Sequence, residues 1–128
     1  MKKKIFAVIL GALMAIGAVG CGGTPIGEEV DVTKTQLYVG NYNGGVGTAW
    51  LEETAARFED LYKDVCFEPD TDKKGVQIMI DADKQRFHGD NLLNNISSIP
   101  EQVIFTERVF YDDYVASGKI YDMTDVVT

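Results

Sequence analysis

The chain has 128 residues, with 12 basic and 20 acidic side chains and a net charge of -8. Taking away the first 20 residues, with Lys2, Lys3 and Lys4, leaves nine basic side chains against 20 acidic, a net of -11 over 108 residues. That is room for one small domain or part of a larger one. So acidic a chain excludes nucleic acid as a partner, because counterion release needs clustered Lys and Arg, and six Tyr, six Phe and one Trp argue against disorder.

Residues 1–20 read as an export signal. Three lysines precede Ile5–Gly20, an uncharged run of 16 residues, shorter than the ~20 that span a bilayer. Small residues, Ala18-Val19-Gly20, then precede Cys21 in the manner of a lipobox, in which the Cys thiol takes a diacylglycerol and the peptide is cut just before it. An ordinary cleaved signal and an uncut anchor are the alternatives. The position of Cys21 where cleavage belongs favours lipidation, and with it a place on the outer face of the cell membrane. Residues 21–34, with Pro25, Gly27, Glu28, Glu29 and Asp31, are expected to be a solvated tether. Cys66 is then left without an intramolecular partner and is expected as a half-buried thiol in a loop or at a strand edge. His88 is the only histidine, so no Cys/His cluster exists for zinc, and no cofactor is implied.

From Thr35 the chain alternates strand and helix patterns. Thr35–Val39 has strand composition, and Gly40–Gly47 follows as a glycine-rich loop. In Thr48–Lys63 the residues Leu51, Ala55, Phe58 and Tyr62 form one helical stripe, widened by Leu61. Thr48 is placed to cap it, and Glu53/Arg57 and Glu59/Lys63 are spaced as ion pairs. Val76–Ile80 is a continuous apolar strand, as expected of one covered on both faces. Lys84–Ser97 is expected as a helix with Leu92, Leu93 and Ile96 inward, Gln102–Thr106 as a strand, and Glu107–Ser117 as a helix stopped by Gly118, with Tyr111 and Tyr114 in the core. This order predicts an α/β fold with a parallel sheet and right-handed crossovers. Ligands of such sheets bind beyond the C-terminal strand ends, here Gly40–Gly47, Asp81–Lys84 and Thr106–Arg108.

The motifs at those ends exclude several chemistries. The loop Asn43–Thr48 lacks the Lys of a phosphate loop, and Trp50 stands where a dinucleotide fingerprint needs its third Gly. Asp70–Gly75 begins like a calcium loop, but Lys74 occupies a ligand position. Asp81, Asp83, Glu107, Asp112 and Asp113 could pair as acid and base only at separations of about 5–10 Å, which sequence does not show. With no nucleophile–base set apparent, the expectation is a non-enzymatic protein. Asn41, Tyr42 and Asn43 in the first loop, Trp50 at the start of the helix, Asp83 and Glu107 are the candidate ligand-binding residues. Aromatic faces beside amides and carboxylates suit sugars, whose C–H faces are apolar and whose hydroxyls need paired donors and acceptors. Trp50 reads equally as a core anchor of the helix on the sheet.

Taken in order, these segments resemble the N-terminal part of extracellular solute-binding lipoproteins of bacterial ABC importers, the sugar-type class most closely. The resemblance is carried by the lipobox, by Gly-Gly-x-Gly-Thr-Ala-Trp-Leu-Glu at residues 44–52, and by Ala56-Arg57-Phe58-Glu59. It extends through Gly75–Asp81, Val103–Glu107 and the segment Tyr114–Asp125, which ends Asp-Met-Thr-Asp. It implies two α/β lobes hinged around a cleft, a carbohydrate or oligosaccharide as solute, permease subunits as partners, and a lipid tether to the membrane. On that comparison residues 35–128 correspond to part of a first lobe, and the chain is expected to be a fragment. A small surface lipoprotein with a structural or adhesion role is the alternative.

Overall fold

The computed structural model describes residues 29–127. The expected signal peptide, Cys21 and the tether as far as residue 28 lie outside the described residues. Three parallel strands form the sheet: β1 (Thr35–Asn41), β2 (Val76–Asp81) and β3 (Val103–Phe105), in the order β2-β1-β3. Thr35 stands opposite Val76, and Val39 opposite both Ile80 and Val103. Between the strands run α1 (Ala49–Leu61) and α2 (Gly89–Asn95), and after β3 come a 3-10 turn (Arg108–Phe110) and α3 (Tyr111–Ala116). The α/β alternation and the parallel pairing are as expected.

The chain leaves β1 to one side for β2 and then crosses back for β3, so right-handed crossovers put α1 and α2 on opposite faces. Two cores follow. Under α1 lie Val39, Leu51, Ala55, Val76 and Ile78. On the other face Phe87, Leu92 and Tyr114 pack with Phe110 and Ile104. The period of two in β1 sends Leu37 and Val39 to the first core and Gly40 to the second. Phe87 is fully buried there. A Cβ on Gly40 would stand 2.5 Å from its Cε1, so only glycine lets the ring lie flat on the strand. Met79, also fully buried, and the buried Val76–Met79 run bear out a strand covered on both faces.

Several local expectations are corrected. Helix is confined to Gly89–Asn95 within the expected 84–97, because the preceding loop is held by other contacts. Asp83 Oδ1 accepts from the Gln85 and Arg86 amides at 2.8 and 3.2 Å. Arg86 reaches Asp81 with one guanidinium nitrogen and Glu101 Oε2, at 3.1 Å, with another. Glu59 forms no ion pair with Lys63, which instead meets Asp60 at 3.4 Å. Glu59 Oε1 accepts the Ile78 N–H at 2.7 Å, a donor that faces away from β1 at the sheet edge. Thr48 donates its hydroxyl to Glu52 rather than capping an amide. Leu61 and Tyr111 face solvent, because no described residue packs over those sides of α1 and α3. Cys66 is exposed rather than half-buried. Residues 29–34 are tied down: Gln77 takes the Glu29 carbonyl and receives the Asp31 N–H, at 2.9 and 2.7 Å. Gly118, at φ 64°, follows α3 as the expected stop.

α1 lies over β1 and β2 and meets β3 through Trp50, which packs on Phe105. Val103 and Phe105 remain partly exposed along an apolar groove of about 320 Å³. Among the described residues no helix is long and apolar enough to cross a membrane.

Candidate functional site

The C-terminal ends of β1 and β3 lie side by side, joined by the Tyr42 amide donating to the Phe105 carbonyl at 2.9 Å. Two consequences build the site. The β1–α1 loop rises over the sheet end, and Tyr42 turns across it. Its ring lies so close over Gly44 that a side chain there would collide with it. The loop then returns to α1 in a way that places Trp50 opposite. The indole N–H donates to the Gly47 carbonyl at 3.1 Å, and the ring meets Phe105 edge-on at 5.2 Å between centroids.

Between these groups is a pocket of about 340 Å³, floored by Asn41 and walled by Tyr42, Trp50 and Phe105, with Asn43 and Thr106 at its margin. Its walls are mostly apolar, and its size is at the low end for small-molecule sites. Asn41 is 5% exposed. Its Oδ1 accepts the Asn43 amide at 3.2 Å, while its buried Nδ2 has no hydrogen-bond partner among the described residues. A buried amide donor without an acceptor is costly, on the order of 1–3 kcal/mol.

Of the six residues read from the sequence, Asn41, Tyr42, Asn43 and Trp50 come together here. Trp50 remains 40% exposed, so the indole is a pocket wall and not a buried anchor. Asp83 lies outside the lining, with its carboxylate turned to the backbone of its own loop. Glu107 also lies outside it. Its Oε1 is 3.0 Å from His88 Nε2, close enough to pair charges but off the line of a hydrogen bond. Glu107 thereby steadies His88, whose ring packs against Tyr42 at 5.2 Å and Phe110 at 5.9 Å. Beneath them the Tyr114 phenol is pushed up from its usual range by burial first, with the nearby Glu107 charge adding to it.

On the far side of Tyr42 is a second pocket of about 230 Å³, lined by Tyr42, Lys84, Gln85, His88 and Asn91. Sequence reasoning missed Phe105, Lys84 and His88. Phe105 was legible in principle, because it alternates with Val103 and pairs with Asn41 in register. Lys84 lay in the strand-end segment Asp81–Lys84 without being singled out, and His88 carries no such signal, since Arg86–Glu101 and Thr106–Phe87 contacts help set the course of its loop. Among the described residues no cluster of His, Cys, Asp and Glu is arranged to hold a metal ion. No family model, no curated protein and no solved structure matches the chain.

Proposed function

We propose that this chain is the solute-capturing component of a bacterial ABC importer, a lipoprotein tethered through Cys21, and that its solute is a carbohydrate or oligosaccharide. On this reading residues 35–128 belong to a first lobe of the periplasmic-binding type. The protein is a receptor and not an enzyme: it binds sugar outside the membrane and delivers it to permease subunits.

The observation that carries the reading is the pocket at the ends of β1 and β3. Tyr42, Trp50 and Phe105 offer aromatic surface for the apolar face of a sugar ring. Asn41 and Asn43 bring side-chain amides to the same pocket, groups of the kind that pair with ring hydroxyls. Its position beyond the C-terminal strand ends is where open parallel sheets place ligands. Trp50 also provides the assay, since a sugar stacked on the only indole of the chain changes its fluorescence.

The test is titration of the full chain, in detergent micelles, with a panel of oligosaccharides, followed by Trp50 emission and calorimetry. The pocket is open on one side, so affinity on the order of 1 mM is expected. Trp50→Ala and Asn41→Leu each weaken it about tenfold or more while leaving the cooperative unfolding transition in place. A panel in which no saccharide binds, but peptides or metal ions do, refutes the assignment.

A further inference from the structure

The second pocket shares the Tyr42 ring with the first but differs from it in chemistry. The first is aromatic and neutral; the second is lined by Lys84, Gln85, His88 and Asn91. Lys84 Nζ stands 5.9 Å from the centre of the Tyr42 ring, held over an aromatic face, and takes part in no salt bridge among the described residues.

The other charged groups of the same loops are engaged. Arg86 turns inward to Asp81 and Glu101. Asp83 accepts from two backbone amides, and Glu107 sits against His88. Lys84 is therefore a cation that lines this pocket outside any salt bridge among the described residues, on a chain whose net charge is -8. Elsewhere so acidic a surface repels anions.

We infer that the solute is an acidic oligosaccharide. One sugar ring lies against Tyr42 and Trp50, and the carboxylate of a neighbouring uronic acid enters the pocket of Lys84, Gln85, His88 and Asn91. The inference rests on the carbohydrate reading above and narrows it to one substrate class. The ammonium gives a charge-assisted hydrogen bond to the carboxylate, and the Gln85 amide supplies a further donor. Tyr42 lines both pockets, so the two subsites adjoin, as linked sugar residues require.

The experiment compares a galacturonate trisaccharide with its neutral galactose counterpart, binding to the full chain by calorimetry at low and at high salt. The acidic sugar is expected to bind about tenfold more tightly at low salt. Added salt shrinks that preference, since the pocket is partly exposed and its field is screened. Lys84→Gln brings the ratio of the two affinities close to one, and Lys84→Arg keeps it. Lys84 is exposed, so neither substitution disturbs the core. Equal affinities for the two sugars, or a preference that Lys84→Gln does not reduce, overturn the acidic-solute inference and leave the carbohydrate reading standing. Binding of neither sugar, while a neutral saccharide of the panel binds, likewise overturns the acidic-solute inference alone.

Discussion

Replacing Gly40 by Ala drives a methyl group into the face of the Phe87 ring. The new Cβ would lie 2.5 Å from Cε1 and 2.8 Å from both Cδ1 and Cζ. Carbon atoms pack comfortably at about 3.5–4.0 Å, so the ring or the strand must yield by roughly 1 Å. Neither moves freely. Gly40 is paired on both sides, with Asp81 and Ile104, and Phe87 is fully enclosed with Leu92 and Tyr114. Overpacking of this kind costs about 1–3 kcal/mol. Against it stands a gain of about 0.5–1 kcal/mol from removing a strand glycine. The net loss is about 1–2 kcal/mol, which lowers the urea midpoint by roughly 1 M for a domain of this size. Phe87→Ala alone costs about 3–5 kcal/mol. In that background the obstruction is gone, and Gly40→Ala should become neutral or mildly stabilising. The coupling between the two sites is then about 2 kcal/mol, well outside the ~0.5 kcal/mol scatter of independent sites. Urea unfolding followed by far-ultraviolet circular dichroism and Trp50 fluorescence measures it. Added sulfate strengthens apolar burial enough to keep the Phe87→Ala chains folded. If Gly40→Ala costs the same whether residue 87 is Phe or Ala, the packing of this ring on the strand is not the reason for glycine at 40.

Two further outcomes test the charges of the frame. Glu101 has a side chain only 1% exposed, and burial raises its carboxyl above the usual value of 4.5, the Arg86 guanidinium opposing that only in part. A raised carboxyl contributes stability that is complete below the unfolded-chain value and is lost as pH rises through the folded value. Relative to Glu101→Gln, the unsubstituted chain should therefore lose urea stability as pH climbs from about 4.5; a flat difference, or one of opposite slope, contradicts the burial argument. At the sheet edge, Glu59→Ala strips the Ile78 N–H of its acceptor and should cost about 1–3 kcal/mol. Glu59→Gln keeps an acceptor oxygen and should cost well under half as much. Equal losses in thermal melts would show that the carboxylate's charge, not its hydrogen bond, is what matters.

The elements legible in the sequence were those whose period and partner surface coincide. Val76–Ile80 announces a strand covered on both sides because it is apolar without alternation, and Leu51 and Ala55 mark the face of α1 that meets the sheet. The pocket was legible in part for the same reason. A glycine-rich loop between strand and helix places Asn41, Tyr42, Asn43 and Trp50 at the strand end by connectivity alone. Periodicity names a face without saying whether anything covers it. Leu61 and Tyr111 fit apolar stripes yet meet solvent, and Phe58 stays partly exposed over the β3 groove.

The order of elements, the parallel sheet and the strand-end position of the site were determined by local pattern together with the chirality of the chain. The tertiary structure alone decided which charges are engaged. Arg86 and Glu59 look like solvated residues in sequence. Folding brings Arg86 to Glu101, 15 residues away, and Glu59 to the amide of Ile78, 19 residues away. The physical reason is that a buried carboxylate or amide takes whatever partner the sheet brings near. That partner is set by three-dimensional packing, and no spacing along the chain encodes it.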